Sequence, residues 1–438
     1  MNWKDSYKQK LVSVEEAAAV IQSNDRVWYP PCGGAPVDLI NAITRRADQL
    51  ENVTMLTALA LYPFEYFKKE YKGKIGHHTT FMGPYERKMF AEGNIEITSY
   101  QFAATDWLTA NRIKPTVFIV DVSPPDENGY MSYGVMGTFN GAAAAKCAAT
   151  VIVQVNREAS YVYGGREAFI HVDDVTWICE QDHKIAELPQ PPVSDVEQQI
   201  AAYIVENIED GSTIQLGLGG VANAVGFCLE SLKDLGVHTE MVTDSMVALA
   251  EKGIITGKYK TLHPGEISCS FGIGSRKLYT FMGRNPMLKA YPISYIASEA
   301  IIAKNEKFIS INNALMCDLT GQVCSESLGF DQFSATGGQL NFVRGAGLSP
   351  GGKSFLAFRS VAEKKDGSLA SRITAILPPG AVITTPRTDV QYIVTEFGCA
   401  DIRGRSISER VKALIAIAHP RFRDELTQEA RKYGLLSQ

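Results

Sequence analysis

Glycine and glutamate define the chemistry this chain can attempt. Residues 213–245 read TIQLGLGGVANAVGFCLESLKDLGVHTEMVTDS: an apolar strand, the turn Gly217-Leu218-Gly219-Gly220-Val221, a helix, a second strand, and Glu240 near its end. In an open α/β sheet the carboxyl ends of the parallel strands share one edge, and ligands bind there. A carboxylate facing a ring of backbone N–H groups can attack a carbonyl whose oxygen those groups hold. Glycine lets the turn bend sharply and lets other groups approach its donors, and a turn that opens a helix suits anions. The spacing is not GxGxxG, so Glu240 fits poorly as the ribose-binding acid of a dinucleotide fold. Two plainer readings stand beside the chemical one. The turn can be a tight strand-to-helix connection, and Glu240 can serve the start of the helix from Asp244 or pair with a lysine.

Three further segments carry polar residues where a sheet edge would present them. Gly329–Ala346 (GFDQFSATGGQLNFVRGA) is punctuated by Gly337, Gly338 and Gly345 and holds Arg344; it reads as a ligand-contacting loop, or as a surface loop with ordinary turn glycines. In Val394–Ser406 (VTEFGCADIRGRS), Glu396 follows a buried-type strand and so reaches the carboxyl edge, while Arg403 and Arg405 meet phosphates or solvent. In Ile309–Leu315 (ISINNAL), Asn312 and Asn313 close an apolar strand and either donate amides to a ligand carbonyl or shape a turn.

The elements that must position these residues are short apolar runs alternating with amphipathic segments. Thr116–Val122, Thr150–Val155, Thr213–Leu218 and Gln391–Thr395 are rich in valine and isoleucine with little polar alternation, as in strands covered on both faces. Ser13–Ser23, Val37–Asp48, Asp195–Ile208, Asp244–Lys252 and Ser408–Ala418 predict helices. Alternation of strand and helix predicts α/β architecture with mainly parallel sheets. The proline-rich Glu187–Asp195 (ELPQPPVSD) resists helix and central strand. Ser194 and Glu197 beyond it form a capping-box pattern. The domains expected are 1–190 and 191–438. Asp25–Ile43 and Gly211–Leu229 share the strand, glycine turn and helix, so the two are expected to be related. Gly141–Ala149 (GAAAAKCAA) predicts a helix packed closely against a neighbour.

Composition narrows the function classes. With 438 residues, 45% hydrophobic and 21% charged, the chain is long enough for two packed domains. A net charge of −5 lacks the basic excess of a nucleic-acid binder. The eight cysteines are scattered without a CxxC pair, which suits reduced thiols in a cytoplasmic protein. The seven histidines show no metal-ligand spacing, so no metal is expected. The N-terminal MNWKDSYKQK has no apolar h-region, and no apolar run approaches the roughly 20 residues of a membrane span. A ligand-sensing regulatory module of the sugar-phosphate type would share the glycine turns, but no DNA-binding element precedes the first strand.

Taken in order, VSPPDENGYMSYGV (Val122–Val135), QLGLGGVANAV, HTEMVTD, INNALMCDLTGQV, GGQLNFVRGA, TEFGCADIRGRS and IAHP resemble the acetyl-CoA hydrolase/transferase family, the glutamate-dependent CoA-transferases, over nearly the whole chain. The resemblance implies two related open α/β domains with the active site between them, and Glu240 as catalytic residue. It implies that Gly217, Leu218, Gly219, Gly220 and Val221 hold the thioester oxygen and part of CoA. Leu315 and Gly338 are then expected to touch CoA, and Asn312 and Glu396 to line the acyl pocket. The implied reaction moves CoA between a short-chain acyl-CoA (butyryl, 4-hydroxybutyryl or acetyl) and a carboxylate such as acetate, by ping-pong through a glutamyl-CoA thioester. Coenzyme A is then a substrate and no cofactor is needed; a cytoplasmic homodimer or homotetramer with no nucleic-acid or membrane partner follows. The alternative within the same chemistry is a short-chain acyl-CoA hydrolase. Many family members have proline at the position of Ala222 and aspartate at that of Asn341, and both departures bear on acyl preference.

Overall fold

The structure, a computed structural model, describes residues 2–188 and 192–437. The boundary expected between residues 190 and 191 lies outside the described residues. Two compact units make up the chain. The first comprises Met1–Pro189, Glu240–Asp244 and Ile267–Ile296; the second comprises Gln190–Thr239, Ser245–Glu266 and Ala297–Gln438.

In the first unit, β1 (Arg26–Trp28), β2 (Val53–Thr57), β3 (Ile75–Thr79), β4 (Ile95–Ile97), β5 (Val117–Val122), β6 (Thr150–Val155) and β7 (Trp177–Glu180) form one parallel sheet ordered β4-β3-β2-β1-β5-β6-β7. Residues alternate between two cores. Val27, Met55, Val117, Ile119 and Ile152 join Ala17, Leu39, Ile40 and Ile43 from α1 (Val14–Ala19) and α2 (Val37–Arg45). Trp28, Phe118, Val120, Val151 and Val153 join the opposite core, with Ala144 from α3 (Gly141–Cys147). Because both faces are buried, β5 and β6 read as continuous apolar runs. The small residues of α3 do pack closely: a Cβ on Gly141 would lie 3.1 Å from the Tyr133 ring.

Two buried polar clusters sit on this frame. Tyr29 and Tyr66 share a hydroxyl contact of 2.6 Å, Tyr66 reaches His77 Nδ1 at 3.1 Å, and His77 Nε2 meets Glu86 Oε1 at 2.9 Å. Glu86 Oε2 accepts from the N–H groups of Ala60 (3.1 Å) and Gly83 (2.5 Å), tying down the connections that follow β2 and β3. Near the ends of β5 and β6, Asp121 accepts from Asn156 Nδ2 at 3.0 Å and Gln154 Nε2 at 3.4 Å.

The second sheet contains β8 (Thr213–Leu216), β9 (Gly236–Val242), β10 (Ile267–Gly272), β11 (Leu288–Ala290), β12 (Phe308–Asn313), β13 (Lys353–Ala357), β14 (Tyr392–Thr395) and β15 (Gly398–Asp401), ordered β11-β10-β9-β8-β12-β13-β14-β15. β8 is parallel to β9 and to β12, and the parallel run continues through β13 to β14; β15 returns antiparallel. Read outward from β1 and from β8, the two sheets have the same connectivity, as the shared strand-turn-helix pattern anticipates. The helices used below are α4 (Asp195–Val205), α5 (Gly220–Cys228), α6 (Asp244–Glu251), α7 (Gln339–Leu348) and α8 (Ile407–Ile417). Capping boxes start α4 at Ser194–Glu197 and α8 at Ser406–Glu409.

Two expectations change. The strand from Thr213 ends at Leu216, although the Gly217 N–H still donates to Ile311 O at 2.8 Å. The loop expected over Gly329–Ala346 becomes helix from Gln339. Gly345 misleads there because it lies inside α7, where a Cβ would meet Ile302 Cγ2 at 2.5 Å; its role is close packing, not a turn.

Candidate active site

The turn after β8 is a backbone loop whose glycines are each backed by a polar side chain. A Cβ on Gly217 would lie 2.6 Å from Asn312 Oδ1, one on Gly219 would collide with Asn313 Nδ2, and one on Gly220 would collide with Glu197 Oε1. Gly219 has φ +122° and ψ 173°, a region only glycine occupies without strain. The turn therefore cannot carry side chains at these positions, and its path is dictated by three residues from β12 and α4. With Gly217 N–H committed to the sheet and Ala222 N–H to Asn313 Oδ1, the donors left for a ligand oxygen are the N–H groups between them, at the opening of α5. The positive end of the helix dipole lies there too. Leu218 is exposed and Val221 buried.

The backing residues are themselves fixed. Asn312 is 7% exposed. Gln215 Nε2 donates to its Oδ1 at 3.1 Å, and its Nδ2 donates to Gln215 Oε1 at 3.2 Å and Ser310 Oγ at 3.0 Å. Asn313 Oδ1 accepts from the Ala222 N–H at 3.3 Å, and its backbone oxygen accepts from Gln339 Nε2 at 2.9 Å. A proline in place of Ala222 would have no N–H to give. Gly338 precedes Gln339 as the N-cap of α7, and Leu315, half-buried, follows Asn313 by two residues. The glycine turn, Asn312, Leu315 and Gly338 thus come together around Asn313.

Glu396 directly follows β14 at the carboxyl edge, as its sequence position predicts. Its Oε2 accepts from the Ser360 N–H at 2.9 Å and its Oε1 from Ser360 Oγ at 2.5 Å. Arg359 beside it donates to Ser194 Oγ at 3.0 Å and Glu197 Oε1 at 3.2 Å. This links the Glu396 side of the edge to the residue behind Gly220. Sequence reasoning missed Glu197 and Arg359. The capping box was legible, but not the second use of its glutamate. Of the other arginines, Arg344 pairs with Asp389 at 3.2 Å and Arg403 donates to Gly347 O at 3.1 Å. Asn341 Nδ2 donates to Glu299 Oε1 at 3.2 Å; an aspartate there would set two carboxylates face to face.

Glu240 belongs to the other compact unit. It is the partly exposed residue of β9, whose remaining six positions are buried. In the same unit lies Tyr100, whose phenol is pushed up to about 12: burial is the main cause, bonds from Thr105 and Thr80 oppose it, and the charges of Asp106 and Glu240 add to it. The Tyr100 phenol therefore stays neutral and feels the charge of Glu240. Among the described residues no group of three His, Cys, Asp or Glu side chains is placed to hold a metal ion.

Comparison with known proteins finds relatives over the full length of the chain. Residues 1–189 match the acetyl-CoA hydrolase/transferase N-terminal domain and residues 274–430 the corresponding C-terminal domain. A 4-hydroxybutyrate coenzyme A transferase of Clostridium kluyveri is 39% identical over 99% of this chain and 100% of its own. A butyryl-CoA:acetate CoA-transferase of Anaerostipes caccae is 38% identical over 99% of this chain and 98% of its own. The crystal structure of RipA from Yersinia pestis superposes with a TM-score of 0.93 at 33% identity, covering 100% of both chains.

Proposed function

The chain belongs to the acetyl-CoA hydrolase/transferase family and is a CoA-transferase, and on that premise we propose that it moves CoA between a short-chain acyl-CoA (butyryl, 4-hydroxybutyryl or acetyl) and a carboxylate such as acetate, with Glu240 as nucleophile. The observation that carries this reading is full-length kinship with proteins named as CoA-transferases for 4-hydroxybutyrate and butyrate. The rigid glycine turn adds a chemical reason, because fixed N–H donors stabilise a developing oxyanion without reorganising.

In this reading the Glu240 carboxylate attacks the acyl-CoA carbonyl, whose oxygen becomes an oxyanion held by donors near Gly219 and Gly220. Collapse breaks the C–S bond and gives an acyl-glutamyl anhydride and CoA thiolate. The thiolate then attacks the glutamyl carbonyl, releasing the first carboxylate and leaving CoA as a glutamyl thioester. An acceptor carboxylate reverses both steps. The acyl group stays activated throughout, so the reaction needs no external energy source and no cofactor beyond CoA as substrate. Leu315 and Gly338 contact CoA in this reading, and Asn312 and Glu396 line the acyl pocket. A cytoplasmic homodimer or homotetramer completes it; the scattered cysteines, with no CxxC pair, suit a reducing compartment. No described helix is long and apolar enough to cross a membrane.

The test is transfer from butyryl-CoA to acetate by the wild-type protein and by Glu240→Ala. Loss of turnover in a variant that melts like the wild type supports the assignment. Retained transferase turnover excludes Glu240 as nucleophile.

A further inference from the structure

Residues 359–372, RSVAEKKDGSLASR, carry four cations and two acids in a chain of net charge −5. Val361–Glu363 and Leu369–Ser371 pair antiparallel as a hairpin that leaves the carboxyl edge just after β13. The pairing of Val361 with Ser371 brings Ser360 and Arg372 together at the base, where the Arg372 N–H donates to Ser360 O at 2.8 Å. Arg359 and Arg372 therefore flank one serine.

The acids nearby are already engaged. Both oxygens of Glu396 accept from Ser360, and Glu197 takes Arg359 along with its own capping bonds. Among the described residues no carboxylate stands within ion-pair distance of Arg372. Its guanidinium is held below the usual arginine value, first by burial and then by the charge of Arg359, with Glu396 partly compensating. A half-buried cation set against a second cation is costly unless an anion joins them. The position also fits an anion functionally: Arg359 is tied to Glu197, the residue behind Gly220, at the opening of α5.

We propose that Arg359 and Arg372, at the base of the hairpin, form a subsite for phosphoryl groups of CoA. The proposal rests on the CoA-transferase reading. Paired guanidiniums suit phosphoryl oxygens because their planar forks give bidentate, charge-assisted bonds. Locally they supply the positive charge that the chain as a whole lacks.

The experiment compares two donors with acetate as acceptor: butyryl-CoA, and butyryl-pantetheine, which lacks the phosphates. Arg372→Gln should raise KM for butyryl-CoA about 10- to 100-fold, the size of a lost charge-assisted bond, and leave KM for butyryl-pantetheine and for acetate unchanged. Arg359→Gln should act in the same direction and Arg359→Lys should recover part of the loss. Calorimetric binding of CoA and of pantetheine should give the same contrast without turnover. An unchanged KM for butyryl-CoA in Arg372→Gln, equal impairment of both donors, or a raised KM confined to acetate would each overturn the subsite. Absence of transfer in the wild-type protein would instead contradict the transferase reading, and the calorimetric contrast would then judge the subsite by itself.

Discussion

Replacing Gly219 with alanine tests whether the turn is as constrained as its geometry indicates. At φ +122° and ψ 173° any side chain is strained, a cost of about 1–3 kcal/mol. The added Cβ would also collide with Asn313 Nδ2 and lie 2.8 Å from Asn313 Cγ, an overpacking cost of about 1–3 kcal/mol. Together Gly219→Ala should lose about 2–6 kcal/mol. A unit of 150–250 residues shifts by about 2–4 °C per kcal/mol, so its melting should fall by about 4 °C or more. The two costs separate in a double-mutant cycle. Asn313→Ala clears the colliding amide and leaves its own Cβ at 3.4 Å, an ordinary contact. In that background Gly219→Ala should keep only the backbone cost, giving a coupling of about 1–3 kcal/mol. Turnover should fall as well, by about 10²–10³ if the turn's donors leave the oxyanion. Thermal melts of the four proteins and butyryl-CoA:acetate assays read both effects. A Gly219→Ala penalty of equal size with and without the Asn313 side chain would refute the steric argument. Wild-type turnover in the single variant would refute the role of the turn.

Two further predictions concern buried carboxylates in the first unit, and their signs are opposite. Burial pushes Glu86 up, but its bonds to His77, Thr79 and the Gly83 N–H outweigh that and leave it below the usual glutamate value. Its stabilisation is therefore present above about pH 4.3 and is lost as pH falls below that value. Glu86→Gln should cost about 1–3 kcal/mol at pH 7, as buried donors lose their charged acceptor, and the gap to wild type should narrow in acid; a pH-independent gap in melting temperature would contradict this. Asp121 is held well above the usual aspartate value, first by burial, against the bond from Asn156, with Asp38 and Asp182 adding to the shift. Its folded form retains a proton that the unfolded chain gives up above about pH 3.9, so this group erodes stability as pH rises. Asp121→Asn should gain on the wild type as pH rises above about 3.9, and a difference that stays flat from there to neutral pH would rule the explanation out.

How far the sequence could be read depended on whether a residue's role was local. β5 and β6 were legible because both faces are buried, and the alternation of Val117, Ile119 and Phe118, Val120 between two cores leaves no polar period. The glycine turn and the Asn312-Asn313 doublet were legible as a strand-to-helix connection and a strand end. What Asn313 does was open, because its grip on Ala222 and Gly219 joins residues about 90 positions apart. Glu197 announces a helix cap from its spacing to Ser194, yet its place behind Gly220 depends on how α4 packs on α5. Gly345 and Gly338 look alike as letters; one accommodates Ile302 inside a helix and the other caps it. The clustering of residues 240–244 and 267–296 with the first unit is a tertiary property with no local signature.

The most direct test of the central claim is peptide mass spectrometry after the protein is mixed with butyryl-CoA and treated with borohydride. A glutamyl thioester is reduced to an alcohol, which lowers the mass of one peptide by roughly 14 Da, and only a covalently activated glutamate gives that change. The loss is expected in the peptide that contains Glu240. CoA release with the Glu240 peptide unchanged, or the same mass loss at another glutamate such as Glu396, would contradict it.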